Sequence, residues 1–134
     1  MSFSEIPIGL ALIPCDIVIE DRLSGKKSLI GIFGQLNVRK FPYIHPNMCM
    51  LVSLTGGSGE RVCEVTCSDA DSQNVLFNVK GKIKFEHPHQ VLDMVFQLRA
   101  VRFPHADTYW IKVNIDDMPL MMRPLRVVQR TENK

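Results

Sequence analysis

The sequence predicts an all-β fold: an antiparallel β-sandwich of immunoglobulin-like or related Greek-key type, with seven to eight strands. Apolar residues recur with a period of two along most of the 134 residues, and turn residues interrupt them at spacings near ten. No long segment shows the 3.6-residue period of a helix. A hydrophobic content of 46% is enough to bury a core, so we expect one domain over residues 1–134, with frayed ends at about 1–6 and 130–134.

The N-terminal third predicts two alternating strands joined by the turn "RLSGK". The run "CDIVIED" places Cys15, Ile17 and Ile19 on one side and Asp16 and Glu20 on the other. The run "SLIGIFGQLNVRKF" aligns Ile30, Ile32, Leu36 and Val38 and leaves Phe33 on the outward side. Glycine inside a strand often marks a bulge, so we expect a bend near Gly31 or Gly34.

Residues 74–116 predict an antiparallel meander of three strands. The inward sets are Val75, Phe77, Val79, Gly81, Ile83 and Phe85 in the first segment, and Leu92, Met94, Phe96, Leu98 and Ala100 in the second. A hairpin through "EHPHQ" sets Phe85 opposite Leu92 and Gly81 opposite Phe96, whose ring can cover the bare glycine. The turn "FPHAD" then sets Tyr109 opposite Leu98 and Trp110 opposite Gln97.

Two further apolar segments complete the predicted strands. The run "NMCMLVSL" is apolar on both faces, as in a central strand, and "TGGSGE" ends it as a tight turn. Pro119 and Pro124 interrupt "MPLMMRPLRVV". Because proline is confined to strand edges and bulges, we expect an irregular edge there, followed by a final strand over residues 125–129.

The four cysteines, at positions 15, 49, 63 and 67, predict buried, reduced thiols rather than a disulfide framework or a metal site. Cys63 and Cys67 share one face of a predicted strand but are separated by roughly 13 Å, too far to bind one ion together. The N-terminal run "MSFSEIPIGLALIP" lacks the basic region of a signal peptide and the ~20 apolar residues of a membrane span. We therefore expect a cytoplasmic protein that needs no metal or cofactor.

The charge pattern argues against nucleic acid or a membrane surface as partner. A net charge of +2 gives no strong attraction to phosphate or anionic lipid. Lys80, Lys82 and Lys84 line the outward face of one strand, and Lys112 is expected two strands away, but few outward aromatic residues accompany them for base stacking. We interpret this lysine row as a solvated sheet face, with weak nucleic-acid binding as an alternative.

The polar residues form no recognisable catalytic motif. The candidates are Asp16, Glu20, Asp21, His45, His87, His89 and His105. The loops that carry His87 and His105 are expected at opposite ends of the sheet, because consecutive connections of a meander alternate. The run "TGGSGE" lacks the lysine of a phosphate-binding loop, and no serine, threonine or cysteine sits in a nucleophile motif. We expect no catalytic residue, and a metal-dependent enzyme is the alternative.

Several short motifs follow one another along the chain. They are Cys15-Asp16, Gly25-Lys26, residues 29–33, Phe103-Pro104, Tyr109 and Pro124-Leu125. In this order they resemble a family of small, uncharacterised bacterial proteins known only as a domain of unknown function. Ala106 and Asp117 depart from its pattern, in which glycine is more usual. The resemblance covers residues from about 10 to 128 and implies a β-sandwich with no established activity.

Trp110 is the leading candidate for an interaction surface. In "DTYWIKVNID" it shares the polar face with Lys112 and Asn114, so a local segment, such as residues 119–124, or a second chain is expected to cover it. Tryptophan is enriched at interface hot spots, and two-fold dimers are the commonest assemblies. The candidate interface residues are Trp110, Phe33, Met121 and Met122. We thus expect a non-catalytic binding or scaffold module that acts through protein–protein contacts, most simply as a homodimer.

Overall fold

The protein is a sandwich of two β-sheets. The structure, a computed structural model, describes residues 6–71 and 74–131, so most of the predicted frayed ends lie outside the described residues. Within these ranges every regular element is a strand, and there are nine strands rather than seven to eight. The strands are β1 (Ile8–Glu20), β2 (Lys27–Ile32), β3 (Gln35–Val38), β4 (Tyr43–Thr55), β5 (Gly59–Asp69), β6 (Val75–Phe85), β7 (Leu92–Phe103), β8 (Asp107–Ile115) and β9 (Met118–Gln129).

One sheet has four strands in the order β2-β1-β4-β7, and the other has five in the order β3-β9-β8-β5-β6. The neighbouring strands pair antiparallel, except that β3 runs parallel to β9. That parallel pair arises because the chain leaves the four-stranded sheet after β2 and enters the edge of the other sheet as β3. The predicted all-β sandwich is therefore confirmed.

The core lies between the two sheets and is built from the inward-facing residues of their central strands. On β5 and β8 the inward residues meet as register partners, with Val65 opposite Val113 and Cys67 opposite Ile111. From the other sheet, β4 contributes Met48, Met50, Val52 and Leu54, all fully buried. At one end the rings of Phe103 and Tyr109 pack edge to face, with their centroids 5.1 Å apart. Apolar burial of this extent is the main stabilising term of the fold.

The predicted meander over residues 74–116 is wrong, because β6, β7 and β8 do not pair in sequence order. The chain crosses from one sheet to the other at both connections: β6 pairs with β5, β7 with β4, and β8 with β5 and β9. Four predicted pairings are therefore absent from the described register: Phe85 with Leu92, Gly81 with Phe96, Tyr109 with Leu98, and Trp110 with Gln97. A period of two identifies the residues that share a face, but it does not identify the neighbouring strand.

Two local expectations also change. Ala100, predicted inward, is exposed and has a φ of 53°, and beyond it the alternation shifts so that Val101 and Phe103 are buried. A left-handed residue inside a strand has this effect, because it re-aims every side chain that follows. The final strand, predicted over residues 125–129, begins already at Met118, and the predicted irregularity is present within it as a register shift against β8 between Val113 and Asn114. β9 accepts Pro119 and Pro124 because β3 pairs only with residues 126–129, so both prolines lie where β9 forms the sheet edge.

Candidate functional site

The outer face of the four-stranded sheet carries exposed isoleucine side chains. Ile17 on β1 and Ile30 on β2 are register partners, and Ile19 and Ile32 lie two residues further along the same strands. Their side chains are 50% (Ile17), 49% (Ile19), 46% (Ile30) and 59% (Ile32) exposed. We call the surface formed by Ile17, Ile19, Ile30 and Ile32 the isoleucine face.

Further apolar side chains lie next to the isoleucine face, on the same side of the sheet. Ile13, Leu51 and Val95 form one transverse row over β1, β4 and β7, and each is partly exposed on the same side as Ile17. Between this row and Ile17 lie the register partners Cys15 and Cys49, both buried. This side also carries polar residues: Ser53 on β4 donates a hydrogen bond to Asp93 on β7 (2.6 Å), and Ser28 on β2 is the register partner of Ile19.

The polar residue that alternates with the isoleucines of β1, Asp16, lies on the opposite side of the strand pair. Asp16 faces the interior side, where its Oδ1 lies 3.0 Å from Nε2 of the buried His45. Phe33, predicted to point outward, packs against the core, with its ring 5.2 Å from the imidazole of His45. Gly31 has a φ of 73°, and the Asp16 carboxylate fills the space that a side chain would need there. Asp16 is thus held on the side opposite Ile17, with its side chain 49% exposed.

His45 is the centre of a hydrogen-bonded chain of three side chains. Its Nδ1 lies 2.8 Å from the Tyr43 hydroxyl, and its Nε2 is bonded to Asp16. Burial and, to a smaller extent, the Asp16 carboxylate raise the pKa of Tyr43. These two hydrogen bonds link β1 to β4 through the buried ring of His45.

The other polar candidates are dispersed. His87 and His89 lie in the β6–β7 connection, which is bonded to the β4–β5 turn through Gly56 N and Pro88 O (3.0 Å). His105 lies at the opposite end of β5, with its Nε2 3.9 Å from Oδ2 of Asp69. The predicted separation of these two loops is therefore confirmed, although the meander from which it was inferred is wrong. His105 joins Asp69 and Asp107 in a group whose ligand atoms lie within 4.8 Å of one another.

Trp110, Met121 and Met122 lie on the β8–β9 side of the other sheet. Trp110 is partly buried between its register partners, Ser68 on β5 and Pro124 on β9. Met121 faces inward, where its sulfur occupies the space beside Gly9, whereas Met122 faces outward and is exposed. Both methionines line a groove of about 510 Å³ along the hairpin. The segment that includes Pro124 thus flanks Trp110 as a neighbouring strand instead of folding back over it.

The four cysteines are free and buried, as predicted. Burial raises the pKa of the Cys63 thiol to about 11 and that of the Cys67 thiol to about 12. Burial also raises the pKa of Cys15, with smaller contributions from the neighbouring Cys49 and Asp16. Thiols with raised pKa values are poor nucleophiles at neutral pH, so these cysteines are packing residues.

Comparison with known proteins places the chain in a family. A family model described as a family of unknown function, DUF6941, matches residues 10–128. The chain belongs to DUF6941. No curated protein matches this DUF6941 member. Among its described residues, no helix is long and apolar enough to cross a membrane.

The sequence predicts that Ile17 and Ile19 share one side of their strand and that Ile30 and Ile32 lie opposite the outward Phe33, whereas in the structure all four isoleucines are exposed. The alternation of Ile17 and Ile19 with Asp16 is visible in the sequence, but an apolar period of two is normally the core side of a strand. The inversion depends on His45, which lies 29 residues from Asp16 and binds it only in the folded protein. No local signal in the sequence pairs these two residues.

Proposed function

We propose that this DUF6941 member is a non-catalytic binding module that acts through protein–protein contacts, with a second copy of itself as the partner. The isoleucine face is the contact surface in this proposal. Four free thiols persist in a reducing compartment, which supports a cytoplasmic setting for the module.

One observation carries the proposal: a paired set of strands turns its apolar side to solvent. Each of the four isoleucines leaves about half of its side chain exposed. Fully burying such a side chain contributes about 1.5–3 kcal/mol, so covering the exposed half of each one contributes on the order of 1 kcal/mol. Scattered exposed apolar residues are common, but a contiguous patch of them marks an interaction surface.

The character of the patch favours a second copy as its occupant. Ile17 and Ile30 face each other across the strand pair, and the isoleucine face itself contains no charged side chain. A two-fold contact joins a surface to itself, so it requires the self-complementarity that an uncharged apolar face provides. The net charge of +2 adds little repulsion between two copies. β2 is also a sheet edge, and its backbone can extend the contact by strand pairing.

The Trp110 side of the molecule is the weaker surface. Trp110 is already partly covered by strands of its own sheet, and Met121 is directed into the sandwich. Of the predicted interface residues only Met122 is broadly exposed. A single flexible methionine contributes less to a contact than four neighbouring isoleucines, because apolar burial scales with area.

The test is to place a charge in the isoleucine face and measure mass in solution. Ile17→Lys and Ile30→Lys should convert a particle of two 15.2 kDa chains into a single chain, as measured by light scattering. Leu23→Lys is the matched control, because Leu23 is 97% exposed in the β1–β2 turn and lies outside the isoleucine face. The control should keep both the mass and the melting temperature of the unmodified protein. The two lysine variants should stay folded but melt at a lower temperature, because they lose the stabilisation that association contributes. Unmodified protein with the mass of one chain would refute the self-association.

A further inference from the structure

Three potential metal ligands converge where β5 ends and β8 begins. Asp69 closes β5, Asp107 opens β8, and His105 lies in the connection from β7. One ligand atom from each residue lies within 4.8 Å of the other two. We propose that Asp69, His105 and Asp107 bind a divalent transition-metal ion of the zinc class. The site belongs to the five-stranded sheet and does not depend on the isoleucine face.

The histidine is oriented as a ligand. Its Nδ1 lies 3.1 Å from the carbonyl oxygen of Ala106, so the ring donates its Nδ1 proton there and keeps an open lone pair on Nε2. Nε2 lies 3.9 Å from Oδ2 of Asp69, which is too long for a hydrogen bond. Zinc–ligand bonds of about 2.1 Å separate two ligand atoms by about 3.4 Å at a tetrahedral angle and by about 4.2 Å in a straight line. The observed gap falls within that interval.

An independent observation comes from Asp107. Its Oδ1 accepts a hydrogen bond from the backbone N–H of Thr108 (2.7 Å). Its Oδ2 is buried and has no hydrogen-bond partner among the described residues. A buried carboxylate oxygen without a donor is costly unless a cation neutralises it. The side chain of Asp69 is only 1% exposed, whereas Asp107 is partly buried.

The donor set indicates the class of ion. One imidazole nitrogen and two carboxylate oxygens suit zinc and its neighbours, whereas magnesium and calcium prefer oxygen donors alone. Two carboxylates balance the charge of a divalent ion. The side chain of His105 is 53% exposed, which opens the site to solvent and leaves room for a water ligand.

Tyr109 holds the loop that carries His105 in place. The hydroxyl of Tyr109 donates a 2.6 Å hydrogen bond to the His105 carbonyl oxygen. The rings of Tyr109 and His105 are also stacked, with their centroids 6.1 Å apart. Tyr109 is itself fixed in the core against Phe103. It is therefore a positioning residue for the ligand histidine, and the site is preorganised on the end of the sheet.

Calorimetric titration of the purified full chain with zinc chloride tests the site. The unmodified protein should bind one zinc ion per chain, and saturating zinc should raise its melting temperature. His105→Gln and Asp107→Asn should weaken binding by more than about tenfold, since even the loss of an outer partner of a metal ligand weakens binding 10- to 100-fold. His89→Gln is the matched control: it removes an exposed histidine at the other end of β5 and should leave zinc affinity unchanged.

Two further readouts separate a lost ligand from a damaged fold. Without zinc, Asp107→Asn should melt no lower than the unmodified protein, because it replaces the oxygen Oδ2 that lacks a donor and keeps Oδ1 as the acceptor for Thr108 N–H. Cobalt(II) bound to the unmodified protein should show no thiolate-to-metal charge-transfer band, because none of the four cysteines belongs to the site. The proposal is overturned if the unmodified protein binds no zinc, if Asp107→Asn retains full affinity, if His89→Gln weakens binding as much as His105→Gln, or if cobalt shows thiolate ligation.

Discussion

The ring of Phe96 lies over Gly81 from the opposite sheet of the sandwich. A Cβ added to Gly81 would sit 3.4 Å from that ring, at ordinary van der Waals distance. The sequence predicts this contact as a hairpin pair within one sheet, yet β6 and β7 lie in different sheets and meet across the core. The contact is therefore correct although the topology from which it was predicted is wrong, because both residues face inward in either arrangement.

Alanine substitutions at two interior glycines should differ in their effect on the free energy of unfolding, because a Cβ fits at one glycine and overlaps a ring at the other. Gly81→Ala should change the free energy of unfolding by less than about 1 kcal/mol, because the new methyl group meets Phe96 without overlap. Gly57→Ala should destabilise by about 1–3 kcal/mol, because its Cβ would lie 2.5 Å from the rigid ring of Phe85. Urea denaturation measures both, and equal losses would mean that the two interior contacts are misplaced.

All four cysteines should be free but unreactive in the folded protein. A thiol reagent at pH 8 should leave Cys63 and Cys67 unmodified, because burial shields them and raises their pKa values to about 11 and 12. In denaturant without reductant the same reagent should titrate four thiols per chain. A count of two or none in denaturant would show that disulfides are present, contrary to this expectation.

Asp116 should contribute stability that disappears in acid. The backbone N–H of Val62 and, secondly, the side chain of Arg61 donate hydrogen bonds to it, and together they lower the pKa of this carboxyl group. A lowered folded-state pKa stabilises the protein above the unfolded pKa of about 3.9, and that contribution is lost as the pH falls through the folded value.

Asp116→Asn should therefore lower the melting temperature at pH 7, and the difference from the unmodified protein should shrink below about pH 4. Asp117→Asn is the matched control: Asp116 and Asp117 both have positive φ in the β8–β9 turn, so the control reports the turn preference of asparagine alone. If the difference in melting temperature between Asp116→Asn and the unmodified protein stays constant from pH 7 to pH 3, the ionised carboxylate does not contribute this stability.

Trp110→Ala should destabilise the protein without changing its mass in solution. Trp110 is partly buried between Ser68 and Pro124, so truncation should lower the free energy of unfolding by about 1–3 kcal/mol, less than for a fully buried ring. Thermal melting and light scattering measure the two effects. If the variant instead keeps its stability and dissociates into single chains, the interface lies on the Trp110 side and not at the isoleucine face.

Alternation in the sequence correctly predicts the strand-rich fold and most of the residues that share a face. It does not show which face is inside. On β8 the apolar set that includes Ile111 and Val113 is indeed the core, whereas on β1 the apolar set that includes Ile17 is the surface. The difference is that Asp16 finds a buried partner in His45, and this long-range hydrogen bond is invisible to a local pattern.

The candidate sites depend on the same long-range relationships. Asp69 lies 36 positions before His105, and the pairing of β5 with β8 brings the two residues together. His105 is among the polar candidates in the sequence, but no local pattern connects it with Asp69. The sequence also does not show which residues lie at a sheet edge. Pro124 is compatible with β9 because β3 begins to pair only after it, at Arg126.

The most direct test of the central claim is to ask whether a second chain covers the isoleucines. Hydroxyl-radical footprinting, read residue by residue by mass spectrometry, measures the solvent access of Ile17, Ile30 and Ile32, with the exposed Leu23 as internal standard. After normalisation to Leu23, we expect the three isoleucines to be oxidised less in the unmodified protein than in the Ile19→Lys variant, where they should react as half-exposed side chains. Isoleucines that are oxidised equally in both proteins would contradict the account, because the face would then be open to water in the native state.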